Sequence, residues 1–115
     1  MAIALSDAEF EELVGEALDT IPPELLRAMD NVVILVEARH PTRDLYGLYQ
    51  GVALTERTTY YSGHVPDTIT IYRDPILAHA ATLDEARDQV AVTVAHEIAH
   101  HFGIDDDHLE EWGWG

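Results

Sequence analysis

The sequence predicts a single α+β domain that spans residues 1–115. Helical patterns occupy the beginning of the chain and a long segment near its end, and three segments of strand composition lie between them. A chain of 115 residues is long enough for a real hydrophobic core but too short for two domains. One domain that contains both helices and strands is therefore expected.

The first predicted element is a helix that begins after Ser6. Ser6 and Glu9 form an S-x-x-E capping box, which is typical of a helix N-terminus. Pro22 and Pro23 end this helix, and residues 23–29 predict a short second helix with Pro23 near its first position. Apolar residues recur at the spacing of one helix face: Phe10, Leu13, Val14, Ala17, Leu18 and Ile21.

Three segments in the middle of the chain predict strands. Residues 31–38, NVVILVEA, form an apolar, β-branched run of strand length and predict a buried strand. Residues 45–54, LYGLYQGVAL, predict a second strand whose glycines indicate a bulge or curvature. After a polar loop, residues 68–74, TITIYRD, alternate between apolar and polar as a half-buried or edge strand would. Pro75 ends this strand, and residues 76–81 predict one or two helical turns.

A long helix is predicted from Thr82 to about Phe102. Thr82 and Glu85 form a second capping box, and the segment that follows contains neither Gly nor Pro. Residues 90–95, VAVTVA, have strand composition, but the capping box and a glycine in the C′ position, Gly103, favour a helix. A helix that is apolar on most sides is expected to be central and buried.

The composition excludes several classes of function. Six basic against 22 acidic residues give a formal net charge of −16, which disfavours nucleic acid and anionic membrane surfaces as partners. Cysteine is absent from the sequence, so any metal has to bind His and carboxylate ligands. The sequence shows neither a signal peptide nor an apolar run long enough to span a membrane. We therefore expect a soluble cytoplasmic protein, and its oligomeric state stays open.

The segment His96-Glu97-Ile98-Ala99-His100 predicts a metal site on the long helix. His96 and His100 lie one turn apart on the same helix face, so both imidazoles can reach one ion at about 2.0–2.1 Å, as zinc requires. Glu97 points about 100° further round the helix, which is awkward for a metal ligand but close enough to reach a metal-bound water. The spacing therefore predicts His96 and His100 as ligands and Glu97 as the catalytic general base.

A third ligand is expected shortly after the helix. Gly103 can adopt the left-handed conformation that turns the chain sharply out of a helix. Asp106 follows three residues later and is the predicted third ligand. His108 is the alternative if the turn is longer, and Glu110 or Glu111 from a short closing helix would complete a different ligand set.

Other side chains near this motif have less specific interpretations. His101 points about 100° away from His100, so we expect it at the solvent or at the rim of the cleft. Tyr60, Tyr61 and Tyr72 are expected mainly in the core or the edge strand, and any of them could donate to a developing oxyanion.

At these residues the sequence resembles the zincin metallopeptidases. Residues 93–102, TVAHEIAHHF, fit their extended helix pattern, and H-E-x-x-H-x-x-G-x-x-D is the elongated form of metzincin-like groups, with Asp in place of the commoner third His. AHEIAHHFGIDDDHLEE, together with LYGLYQGVALTER and PDTITIYRDPI upstream, is similar to the small bacterial zincin-like family of possible zinc metallopeptidases. The sequence departs from true metzincins because no Met follows Gly103, so their methionine turn is missing.

The resemblance implies a minimal zincin-like domain. A small twisted sheet of three or four strands would pack on a central active-site helix, with further helices at the N-terminus. The cofactor would be Zn2+ and the substrate a peptide or protein. An edge strand, Thr68–Asp74, would run above the cleft and pair with an extended peptide as an added strand.

The predicted function is therefore zinc-dependent peptide hydrolysis with Glu97 as general base. One alternative is a module that binds metal and peptide with little or no hydrolysis, because so short a chain leaves little to wall a deep cleft. The other is a metal-dependent endoribonuclease. The rRNA-maturation endoribonucleases carry a similar H-x-x-x-H helix, glycine turn and third His, but Glu97 and Asp106 depart from their pattern and the net charge opposes RNA.

Overall fold

The structure, a computed structural model, describes residues 3–57 and 66–104. Two helices precede the three strands and two helices follow them, which confirms the α+β class. The elements are α1 (Asp7–Asp19), α2 (Pro23–Ala28), β1 (Val32–Glu37), β2 (Gly47–Gln50), a 3-10 turn (Leu54–Glu56), β3 (Asp67–Tyr72), α3 (Arg73–His79) and α4 (Leu83–His101). Within the described ranges, no helix is both long enough and apolar enough to cross a bilayer.

The strands form a three-stranded mixed sheet in the order β1-β3-β2. β3 runs parallel to β1, with Val32 opposite Asp67, and antiparallel to β2, with Gly47 opposite Ile71. β2 therefore inserts beside β3 on the side away from β1. It ends where Gly51 takes a φ of +151°, and a side chain at that position would run into Asp67.

The prediction that Thr68–Asp74 forms an edge strand is wrong. Residues 68–71 pair with β1 on one side and with β2 on the other, so their backbone cannot accept an added peptide strand. Arg73 and Asp74 begin α3 instead of extending the strand. Ile69 and Ile71 lie on one buried face, and Thr70 and Tyr72 on the other face are buried as well. The alternation of apolar and polar residues therefore does not distinguish an edge strand from a central one.

The core lies between one face of the sheet and the helices. α1 packs against α4, and its capping box forms as predicted, with the Glu9 N–H donating to Ser6 Oγ and the Ser6 N–H donating to the Glu9 carboxylate. The apolar face of α1 and the buried residues of β3 and α4 form one cluster. Its members on these three elements are Phe10, Leu13, Val14, Ala17, Ile69, Ile71, Ala86, Val90, Val94 and Ile98.

α4 is a helix throughout, as the capping signals predict. Thr82 caps it by accepting a hydrogen bond from the Glu85 N–H at 3.1 Å. The strand-like VAVTVA segment is accommodated because Val90 and Val94 face the core, whereas Val92 lies on the outer side. The helix ends in a Schellman motif: Gly103, at φ +80°, donates to the His100 carbonyl at 2.9 Å, and Ile104 donates to the Ala99 carbonyl at 2.9 Å.

Candidate metal centre

The last two turns of α4 carry the histidine pair and the glutamate that the sequence singles out. His96 and His100 lie one turn apart on the same helix face, and both are partly exposed. Glu97 is 9% exposed, so its carboxylate is largely shielded from solvent. The two imidazoles could supply two of the three protein ligands that a catalytic zinc ion requires.

Glu97 and His100 contact each other directly. The Glu97 Oε1 atom lies 3.0 Å from the Nδ1 atom of the His100 ring. When Nδ1 donates to this carboxylate, the other ring nitrogen, Nε2, presents its lone pair to an ion. The contact therefore sets both the orientation of the ring and the position of the carboxylate.

β2 begins directly against this carboxylate. A β-carbon at Gly47 would lie 2.7 Å from Thr93 Cγ2, 3.2 Å from Glu97 Cγ and 3.3 Å from Glu97 Oε2. Only a residue without a side chain allows the strand to come this close to α4. The sequence interpretation missed this role, although an isolated glycine within a strand is a known sign of close backbone approach.

A cavity of about 320 Å³ lies further along the same helix, on the N-terminal side of His96. The phenol oxygen of Tyr46, which immediately precedes β2, lies 2.6 Å from His79 Nδ1 at this cavity. The cavity lies between α3 and α4, and Tyr46 lines it next to the start of β2. Its lining on α4 consists of Glu85, Asp88, Gln89 and Val92.

The predicted third ligand lies outside the described residues. Asp106 and its alternatives, His108, Glu110 and Glu111, all fall in this part of the chain, as do Tyr60 and Tyr61. Within residues 3–57 and 66–104, no three His, Asp or Glu side chains converge on one point that could hold a metal ion. The assignment of Asp106 therefore stays a prediction.

His101 is fully buried, so the prediction of a solvent or cleft-rim position is wrong. Its Nδ1 atom lies 3.0 Å from Asp67 Oδ2, and its Nε2 atom accepts a hydrogen bond from the Asp30 N–H at 3.2 Å. Burial lowers the pKa of His101 and outweighs the opposing influence of the Asp67 carboxylate. The 100° step from His100 points this ring toward the sheet, because β2 and β3 cover that side of the helix.

Asp67 is the buried acid that His101 meets, with 2% of its surface exposed. Its carboxylate accepts hydrogen bonds from the Tyr49 hydroxyl, from the Val52 N–H at 3.3 Å and from Arg57 at 2.9 Å. Burial by itself would raise the pKa of Asp67, but these donors and His101 outweigh it, so the pKa lies below its ordinary value. Asp67 is therefore a stabilised buried anion.

A family model described as zincin-like metallopeptidase matches residues 29–114, a range that begins just before β1 and contains the whole of α4. No curated protein matches the chain.

Proposed function

The chain belongs to the zincin-like metallopeptidase family, and we propose that it is a zinc-dependent peptidase with Glu97 as its general base. One observation carries this proposal. His96 and His100 share a face of α4, and the Glu97 carboxylate beside them lies 3.0 Å from the second ring. The family match supports a metallopeptidase role, and α4 supplies two histidines and a glutamate for it.

His96 and His100 would hold the zinc through ring nitrogens, with Asp106 as the proposed third ligand and His108 as its alternative. When bound, zinc polarises the scissile carbonyl and lowers the pKa of the attacking water. Glu97 takes the proton of that water and delivers it to the leaving amine. The His100 ring holds the carboxylate of Glu97 in place for both transfers.

The substrate peptide is proposed to pair with β2 in place of the β3 edge expected from the sequence. Within the described residues, β2 is an outer strand of the sheet, and its first residue lies against Glu97. A peptide added to its outer edge would run past the carboxylate in extended form. One of its side chains could enter the cavity between Tyr46 and α4.

The test is metal analysis of the purified protein together with cleavage of a broad peptide library. We expect one zinc per chain in the wild type, and loss of that zinc in His100→Ala. Glu97→Gln should keep its zinc and lose cleavage by about a hundredfold or more. His40→Ala is the matched histidine control, because His40 caps a turn by accepting from the Thr42 and Arg43 N–H groups.

Each alternative function predicts a different outcome of this experiment. Zinc binding without any Glu97-dependent cleavage would identify a metal- and peptide-binding module. RNA cleavage that survives Glu97→Gln would identify an endoribonuclease. A wild-type protein that binds no zinc would contradict all three metal-dependent functions.

A further inference from the structure

Polar side chains from five parts of the chain meet beside the last turn of α4. We call them the anchor network: Asp30, Tyr49, Arg57, Asp67 and His101. The Arg57 guanidinium bridges two of the acids, at 2.7 Å from Asp30 and 2.9 Å from Asp67. The proposed hydrolysis uses none of these groups, although Asp67 and His101 are fully buried and burying such groups is costly unless each is hydrogen-bonded.

The contacts of His101 determine which of its ring nitrogens carries the hydrogen. The Asp30 N–H can only donate, so the Nε2 atom that accepts from it carries no hydrogen. The hydrogen therefore lies on Nδ1, which donates to Asp67 at 3.0 Å. His101 is thus a neutral ring with both nitrogens hydrogen-bonded to the protein.

This ring fixes how the end of α4 is rotated about its own axis. One nitrogen is held by β3, through Asp67, and the other by the segment between α2 and β1, through Asp30. His100 is the preceding residue, so any rotation that moves His101 also swings the His100 ring. Metal–ligand distances tolerate deviations of only about 0.2 Å, and a rotation of a few degrees displaces an imidazole nitrogen by a comparable amount.

The 3-10 turn that precedes Arg57 also fixes the direction in which the chain leaves α4. A β-carbon at Gly103 would collide with Thr55, which lies in the 3-10 turn two residues before Arg57. The turn that leads toward Asp106 therefore packs on the segment that supplies Arg57 to the anchor network.

We infer that the hydrogen-bonded pair of Asp67 and His101 is a positioning pair for the metal centre, fixing the rotation of the last turn of α4 and with it the ligand His100. This inference rests on the proposed function, because it assumes that His100 binds zinc. Neither Asp67 nor His101 touches the metal or the substrate. Their effect on the site passes through the helix backbone.

The experiment measures zinc affinity by competition with a chromophoric chelator, starting from metal-free protein. His101→Phe keeps an aromatic ring and removes both hydrogen bonds, and we expect about tenfold weaker zinc binding or more. His101→Asn restores an N–H donor near the position of Nδ1, so it should recover part of the affinity. The visible absorption of the cobalt-substituted protein should change in His101→Phe, because that spectrum reports ligand geometry.

Val90→Ala is the matched control, because it removes buried volume from the same helix about three turns from His101. It should lower the free energy of unfolding and leave zinc affinity and the cobalt spectrum unchanged. If His101→Phe does not fold, Tyr49→Phe replaces it in the test. That variant removes only the hydroxyl that donates to Asp67, and we expect about threefold weaker zinc binding.

Two results would overturn the inference and leave the proposed function intact. The first is a folded His101→Phe protein with wild-type zinc affinity and an unchanged cobalt spectrum. Where Tyr49→Phe replaces that variant, the corresponding result is unchanged zinc affinity. The second is an equal loss of zinc affinity in Val90→Ala, because the loss would then depend on the overall stability of the fold and not on the His101 hydrogen bonds. A wild-type chain that binds no zinc would instead contradict the proposed function itself.

Discussion

Gly47 and Glu97 are packed so closely that a single added methyl group at Gly47 would lie 3.3 Å from the carboxylate oxygen Oε2. The strand that would receive the substrate and the carboxylate that would act on it therefore share one contact. Any displacement at this contact changes the position of the base relative to a bound peptide.

Gly47→Ala tests this contact. The new methyl group would press on Thr93 and on Glu97, and we expect kcat/KM to fall by about tenfold to a hundredfold because the base is displaced. Zinc content should stay at the wild-type level, because the three atoms nearest to the new group belong to Thr93 and Glu97 and not to either histidine. Peptidase assays and metal analysis of the same preparation measure both effects.

Gly15→Ala is the control for this substitution, since a β-carbon there would have nothing within 4 Å. It should leave activity unchanged. Wild-type activity in Gly47→Ala would show that the closeness of β2 to Glu97 has no catalytic consequence.

Gly103→Ala is expected to destabilise the protein by about 1–3 kcal/mol. The residue has a φ of +80°, which an L side chain rarely adopts, and its β-carbon would collide with Thr55. Urea unfolding of the metal-free protein measures the loss. The double variant Thr55→Gly/Gly103→Ala should recover the steric part of the loss but not the backbone part, and full recovery would contradict the conformational argument.

Arg57→Met should lower the free energy of unfolding by about 3 kcal/mol, because it leaves the buried carboxylate of Asp67 without its cation. Arg87→Met is the matched control. Arg87 forms exposed ion pairs with Glu16 and Asp84, and its loss should cost much less. Equal losses in the two variants would show that burial does not set the strength of the Arg57–Asp67 pair.

The lowered pKa of Asp67 makes stability depend on pH in the acidic range. In the unfolded chain this carboxyl regains its ordinary pKa of 3.8, so unfolding takes up a proton as the pH falls toward and below that value. The contribution of Asp67 to stability is therefore complete well above pH 3.8 and is lost as the pH falls through the lower pKa of the folded state. Urea unfolding of metal-free wild type should show a steeper acid loss than unfolding of Asp67→Asn, and parallel curves would contradict this assignment.

Local patterns in the sequence are sufficient to predict α1, α2, α4 and part of the candidate site. The capping box at Ser6 and the N-cap bond at Thr82 fix where α1 and α4 begin, because each involves residues only three positions apart. The four-residue spacing of His96 and His100 likewise places them on one face without any knowledge of the sheet. Gly103 occupies the predicted C′ position for the same local reason.

The wrong predictions concern features that depend on distant residues. Alternation in β3 predicts that only one of its faces is buried, but β1 and β2 flank the strand on both edges, and its neighbours are set by topology. His101 looks like a surface residue next to His100 until the sheet packs on its side of the helix. Its partner Asp67 lies 34 positions away, and a lone aspartate in a sequence usually indicates solvent exposure.

Asp30 and His101 are 71 positions apart in the chain, so the proposed metal centre depends on the order in which the elements fold. A helix such as α4 can form early from local contacts, whereas a contact between such distant residues has to wait until the intervening sheet has closed a long loop. A chain that has formed α4 alone carries both histidines without the bonds that orient them. Full affinity for zinc would then arise only in the completed domain, so that an incompletely folded molecule would not hydrolyse its neighbours.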